Sequence, residues 1–160
     1  MITLDSIAAL RAFSGQPAAL TPWQAVDQDT INRFGLATGD TQWIHMDPQR
    51  AQAESPYGAA IAHGLLTLSL LPSLYASAIR FPNRRLAVNY GFDRVRFTQA
   101  VKAGARIRGA FALAGVDELP DGQARLAWDV RIDIDGEERP ALVARWLTQI
   151  AYHPAQKEQA

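Results

Sequence analysis

The sequence contains no cysteine. That excludes disulfides, thiolate nucleophiles and cysteine-ligated zinc, and it suits a reducing cytosol. It also lacks an excess of charge of either sign, with Lys plus Arg at 16 and Asp plus Glu at 16. A balanced chain offers no general electrostatic footprint for nucleic acid or for an anionic membrane surface. The opening Met1-Ile2-Thr3-Leu4-Asp5 has neither the basic stretch nor the apolar core of a secretory signal, so a cytoplasmic location is expected. Internal repeats, low-complexity segments and a glycine-rich phosphate loop are missing as well. The three histidines do not follow a zinc-binding spacing such as His-Glu-x-x-His, and no metal is expected. Ser69 and Ser73 lack the turn context of a hydrolase nucleophile.

What is present is the composition of an ordinary globule of 160 residues, enough for one domain with a real core. A single domain over 1–160 is expected, with an amphipathic N-terminal arm over about 1–20 and a polar C-terminal tail over about 154–160. The longest apolar run, Ala59 to Ile79, is long enough to span a bilayer if helical. It carries His63-Gly64 near its start and Pro72 inside, and amphipathic strands follow it. It reads as a central helix surrounded by protein, kinked at Pro72, and no membrane association is expected.

Asp29 is a plausible N-cap for a short helix through Ile31, Phe34 and Leu36 that ends at Gly39. Asp40 to about Gly58 then reads as a loop, marked by Pro48, Pro56 and Gly58. The C-terminal half is strand-like. From Ala124 to Ile134, Ala124, Leu126, Trp128, Val130, Ile132 and Ile134 fall on one face, and Arg125, Ala127, Asp129, Arg131 and Asp133 on the other. Asp135-Gly136 signals a hairpin, with a return strand over about 141–152. Earlier strands are predicted near 85–101 and 106–116, with Gly104 and Gly115 at their ends, and a short one near 23–26. A sheet with one dry face needs a cover, and the only long apolar helix can supply it. The predicted class is therefore α+β, an antiparallel sheet wrapped around a long central helix. The sheet edge and an incompletely covered helix suggest a homodimer or a higher oligomer.

Possible chemistry concentrates in Thr38-Gly39-Asp40-Thr41-Gln42-Trp43-Ile44-His45-Met46-Asp47-Pro48. On an ideal helix Asp40 and His45 would stand roughly 140° apart, at about 100° per residue, so only a loop can bring them together. Such a pair can hold one water, one group taking a proton while the other gives one. On spacing alone, turn-capping and surface roles are the commoner use of these residue types. A second feature is Ile61-Ala62-His63-Gly64-Leu65-Leu66. Gly64 permits close approach, and the first amides of a helix lack internal partners, so one could polarise a carbonyl. Tight packing of the helix is the alternative reading.

Phe34-Gly35-Leu36-Ala37-Thr38-Gly39-Asp40 followed by His45 resembles the signature of (R)-specific enoyl-CoA hydratases and MaoC-like dehydratases. Ala62-His63-Gly64-Leu65 is similar to their second signature, and Val88-Asn89-Tyr90-Gly91-Phe92-Asp93-Arg94-Val95-Arg96-Phe97 resembles the strand after the helix. The likeness covers roughly Thr21 to Tyr152. The stretch Thr41-Gln42-Trp43-Ile44 departs from the Asn-Pro of better-known hydratases and resembles the nodulation protein N-like branch. The resemblance implies a hot-dog fold and reversible hydration of an enoyl thioester, with Asp40 and His45 activating one water and the Gly64 amide holding the thioester oxygen. The substrate would be an acyl-CoA or an acyl-ACP, with no further cofactor. His63 is expected to orient the helix start. Leu65, Asn89 and Tyr90 are candidates for the pocket wall, and Arg94 and Arg96 either contact carrier phosphates or form the wet face of a strand. A hot-dog thioesterase is the competing activity, but the segment from Ala59 to Ile79 has no Asp or Glu to serve it. A non-catalytic subunit binding an acyl thioester is the third reading.

Overall fold

Residues 1–153 are described by a computed structural model. The segment with the cleanest alternation lies within the main sheet as β7 (Gln123–Ile134), with Ala124, Leu126, Trp128, Val130, Ile132 and Ile134 all buried. β7 pairs antiparallel with β6 (Arg106–Leu119) on one side and β8 (Leu142–Tyr152) on the other. β8 in turn pairs with β5 (Arg84–Phe97). Short strands β2 (Ala19–Leu20) and β3 (Gln24–Ala25) add to the far side of β6. The six-stranded antiparallel sheet therefore runs β2-β6-β7-β8-β5, with β3 also on β6. A two-residue parallel pair, β1 (Ile2–Thr3) with β4 (Ile79–Arg80), ties the amino terminus to the end of the central helix.

The helix that covers the sheet is broken in two, α5 (Gly64–Ser69) and α6 (Leu71–Ala78), with Pro72 in the first turn of α6. It starts five residues later than the apolar run suggests. Ala60 to Ala62 are instead extended: the Ala62 amide donates to Val101 O at 2.7 Å, the Ala103 amide to Ala60 O at 2.9 Å, and Ile61 bridges Lys102. Leu66, Thr67, Leu71, Leu74 and Ala78 are the buried residues of α5 and α6. Tyr75 stands edge-on to Phe111, Trp128 and Trp146 at 5.2, 5.0 and 5.3 Å between ring centres. Burial in that aromatic nest pushes its phenol well above the ordinary tyrosine value. Among the described residues no helix is long and apolar enough to cross a membrane.

The expected amphipathic amino-terminal arm holds α1 (Ile7–Phe13), which is capped by Ser6 and buries Leu10 completely. Other expectations need correction. The next helix, α2 (Gln28–Thr38), is capped by Asp27 rather than Asp29, the Asp27 carboxylate accepting the Thr30 amide at 2.8 Å. Gly39 does end it, in the left-handed conformation at φ 77. The segment after Gly39 is not a bare loop, because it holds α3 (Trp43–Met46) and α4 (Pro48–Glu54). Asp47 joins them: it ends α3 and its carboxylate caps α4 through the Arg50 amide at 3.0 Å. Gly115 sits inside β6 at a register shift rather than at a strand end. The Asp135-Gly136 turn is part of a connection that reaches Ala141 before β8 begins. The polar tail expected over 154–160 lies outside the described residues.

β5 is the free edge of the sheet, and most of it is exposed. Leu86, Val88, Tyr90 and Phe97 on this strand are 57, 43, 53 and 50% accessible.

Candidate active site

The segment from Asp40 to Gly64 leaves the end of α2, folds through α3 and α4, and returns to open the central helix. Main-chain oxygens hold it together. His45 on α3 is buried, and its Nδ1 lies 2.7 Å from Ile61 O. A carbonyl only accepts, so Nδ1 carries the proton and Nε2 is left with a free lone pair. The Ile61 amide returns a bond to Ile44 O at 3.0 Å. His63, 2% exposed, donates from Nε2 to Asp40 O at 2.9 Å, while its Nδ1 is buried without a partner among the described residues. The two imidazoles stack at 3.9 Å with 28° between their planes. Asp40 itself is exposed. The Asp40 carboxylate and one ring nitrogen of each histidine lie within 4.8 Å of one another.

The structure thus brings Asp40, His45 and His63 together from three stretches of chain. Burial lowers the His45 pKa below its ordinary 6.5, opposed by its bond to the Ile61 carbonyl; His63 pushes it further down and Asp40 pulls it up. His45 is accordingly a neutral imidazole at pH 7 with Nε2 available as a base. Three donor groups of this kind could in principle hold a metal ion. Two of the four ring nitrogens, His45 Nδ1 and His63 Nε2, are however already bonded to carbonyls. The arrangement suits proton transfer better than coordination.

Gly64 begins α5, and its amide is among the first-turn donors without a helical partner. A side chain there would meet the Phe97 ring at 3.0 to 3.2 Å, so the glycine lets the ring lie against the helix start. His45, Ile61, Gly64, Phe97, Lys102 and Arg139 line one cleft of about 710 Å³.

The remaining predicted site residues fall elsewhere. The cross-strand register puts Arg94 opposite Arg145 and Arg96 opposite Val143, on the face of the sheet turned away from the helix, while Val95 and Phe97 meet the buried Ala144 and Leu142. Tyr90 lies under the Arg125 guanidinium at 4.1 Å. Leu65 is 60% exposed and lines none of the cavities described. Asn89 does border a cavity, and its Oδ1 accepts from Trp146 Nε1 at 2.9 Å.

Sequence reasoning missed four positions. Gln28 donates from Nε2 to His45 O at 2.6 Å, and nothing in its local sequence marks that role. Gly35 is buried in α2, where a Cβ would come within 2.7 Å of Met46 Sδ, 2.8 Å of Asp40 O and 3.3 Å of the His63 ring. A glycine inside a predicted helix was the available signal. Lys102 and Arg139 line the cleft in place of Arg94 and Arg96, and neither forms a salt bridge with another described residue.

Residues 11–126 match the family of MaoC-like domains. This chain belongs to that family. It is 40% identical over 156 residues to nodulation protein N of Rhizobium meliloti, with 97% of each chain covered. It is 40% identical over 144 residues to 3-hydroxyacyl-thioester dehydratase Z of Mycobacterium tuberculosis, covering 90% of this chain and 95% of that one. Among solved structures, the (R)-hydratase from A. caviae involved in PHA biosynthesis superposes with a TM-score of 0.65 at 18% identity, over 83% of this chain and 95% of that one. The MaoC-like fold is the hot-dog fold, and the antiparallel sheet around α5 and α6 is its realisation here.

Proposed function

We propose that this MaoC-like protein is a hydro-lyase that reversibly hydrates a trans-2-enoyl thioester to the (3R)-3-hydroxyacyl thioester. The observation that carries the reading is the tautomer of His45. Its Nδ1–H is fixed on the Ile61 carbonyl, which leaves Nε2 free, and the Asp40 carboxylate lies within 4.8 Å of one nitrogen of the ring. A water between them can donate one hydrogen to each, which aims its lone pair at the β-carbon of a substrate in the cleft.

Imidazole is intrinsically the stronger base of the two groups, so His45 Nε2 takes the proton as the water oxygen bonds to the β-carbon. The π electrons of the enoyl bond move onto the thioester oxygen. The Gly64 amide donates to that oxygen and stabilises the enolate. The imidazolium, held by the charge of Asp40, then returns the same proton to the α-carbon. Water has been added across the double bond, and the site ends as it began. The scheme uses no metal and no organic cofactor beyond the carrier on the substrate. Coenzyme A and acyl carrier protein both present a phosphorylated pantetheine, and Lys102 and Arg139 on the cleft wall, which Glu137 also borders, are the cations available to a phosphate.

A second copy of the chain would cover the open β5 edge and the exposed Leu65 of the helix, so the working unit in this reading is a homodimer in the cytoplasm. The direct test is loss of enoyl absorbance when the protein meets crotonyl-CoA and longer trans-2-enoyl-CoAs. Turnover that Asp40→Ala and His45→Ala both abolish supports the reading. A folded wild type inactive on every chain length, free or carried by acyl carrier protein, overturns it.

A further inference from the structure

The hydration scheme uses one imidazole, yet the structure buries two, face to face. His45 sits on α3 and His63 immediately before Gly64, and their ring centres are 3.9 Å apart with 28° between the planes. His63 is the more enclosed of the two. The Phe34 ring of α2 tilts against it at 5.1 Å, and a Cβ at Gly35 would lie 3.3 Å from its Cε1. Its contact with the catalytic pair is double. Nε2–H is bonded to the main-chain oxygen of Asp40 at 2.9 Å, and the flat of the ring lies on His45. The donor on Nε2 fixes the tautomer, so Nδ1 is a buried lone pair with no partner among the described residues. An unpaired buried acceptor is unfavourable. For packing alone a phenyl ring would serve, and it would leave no such atom.

Charge supplies the second half. The Asp40 carboxylate lies within 4.8 Å of one nitrogen of each ring. One carboxylate balances one imidazolium, and a second positive ring at stacking distance would have no anion of its own. The other ionisable groups around the pair do not supply one. Asp47 at the end of α3 turns its carboxylate to the Arg50 amide. Lys102 and Arg139 outnumber Glu137 on the cleft wall, with the Tyr57 phenol beside them. Phe34, Gly35 and Met46, packed against His63 or its support, carry no charge.

We propose that His63 is a positioning residue for the hydration reaction and acts on both members of the catalytic pair: its Nε2–H holds the Asp40 turn in place, and its ring, stacked on His45 and sharing the one carboxylate, keeps His45 unprotonated until the reacting water supplies the proton. This rests on the hydratase reading above, in which His45 Nε2 is the base. The electrostatics agree in direction, since His63 adds to the effect of burial in pushing the His45 pKa down. His63 touches no reacting atom in this scheme and works through its two neighbours.

Two substitutions separate the two contacts. In His63→Gln the amide nitrogen stands the same number of bonds from Cβ as Nε2, so the bond to Asp40 O can persist while the ring is lost. In His63→Phe the ring remains and the bond is lost. The unpaired Nδ1 goes with it, so stability in urea should stay close to wild type. Hydration of crotonyl-CoA is followed across the acid limb and the plateau. The phenylalanine variant is expected to lose about tenfold or more in plateau kcat as the Asp40 turn loosens, and the glutamine variant to stay within about threefold. Both should raise the acid limb of kcat/KM toward 6.5, because neither carries a second imidazole. Imidazole NMR signals give the His45 midpoint without any substrate. The chain has three histidines, and the signal missing from the His45→Ala spectrum assigns the one needed. Wild-type kcat in the phenylalanine variant, equal kcat losses in the two variants, or a His45 midpoint unmoved in both overturns the inference while leaving the hydratase reading intact. A folded wild type without turnover on any enoyl thioester loses the hydratase reading, and the NMR midpoint of His45 then still decides whether the two rings are coupled.

Discussion

Replacing Gly35 by alanine sets local and tertiary physics against each other. In an isolated helix the change is favourable, by about 1 kcal/mol. In this protein the added methyl would lie 2.8 Å from Asp40 O and 2.7 Å from Met46 Sδ. Methionine can swing aside, but the Asp40 oxygen is main chain and is held by His63. The contact is 0.6 Å shorter than the 3.4 Å at which ordinary Cβ contacts begin, and that is the displacement Asp40 must undergo. Overpacking of this kind costs about 1–3 kcal/mol, so the net effect on stability runs from near neutral to about 2 kcal/mol unfavourable. The effect on rate is larger. Moving the carboxylate that orients the water by a substantial fraction of an ångström should lower kcat by about 10- to 100-fold. KM should change little, since the acyl and carrier contacts lie elsewhere. Stopped-flow hydration kinetics and urea unfolding on the same preparation supply both numbers. Wild-type kcat together with a raised unfolding midpoint would refute the reasoning, since it would mean that the Asp40 turn moves freely without consequence.

Gln28→Ala should lower stability by about 1 kcal/mol, the net worth of an ordinary hydrogen bond, and reduce kcat by slackening α3 under His45, read from urea curves and initial rates. Gly64→Ala should press on the Phe97 ring and lower kcat/KM, and adding Phe97→Ala should recover part of the loss; a double variant no better than the single one would show that the ring is not what yields. Because burial holds the folded His45 pKa below 6.5, the unfolded chain takes up this proton first as pH falls. The contribution of His45 to stability is therefore complete above pH 6.5 and declines from there down to the folded pKa, and the acid limb of kcat/KM should lie below pH 6.5. An acid limb at or above 6.5 would exclude His45 as the titrating base. Val88→Lys on the free edge should leave the fold intact and shift sedimentation toward the monomer, whereas an unchanged dimer would place the interface elsewhere.

The sheet was legible because its burial is one-sided. β7 alternates without a fault, and the buried set in the structure is the set the period of two picks out. The central helix was legible in kind but not in extent. Ala60 to Ala62 are as apolar as the helix itself, yet they pair with Val101 to Ala103, and hydrophobicity does not distinguish a buried extended segment from a buried helix. Asp40 and His45 were singled out by residue type and resemblance. Their convergence depends on α3, whose four residues are too few to leave a periodic trace. The arginines of β5 show a different limit. Their alternation with Val95 and Phe97 was plain, but which face met the helix follows from the bulges in pairing with β8, which no single strand records. Lys102 and Arg139 come from two loops far apart in sequence and are neighbours of the cleft only after folding.

The bonds that fix the candidate site end on peptide oxygens: His45 on residue 61, His63 on residue 40, Gln28 on residue 45. An acceptor of that kind is supplied by any amino acid. The positions that receive these bonds can therefore drift without loosening the site, as long as the chain keeps its path. Selection on the site's geometry then falls on the donors Gln28, His45 and His63 and on Gly35, where there is no room for a side chain. In a library of random substitutions this protein should tolerate diverse apolar residues at Ile61 and very few at Gly35, although Ile61 touches the reactive imidazole and Gly35 touches only its supports.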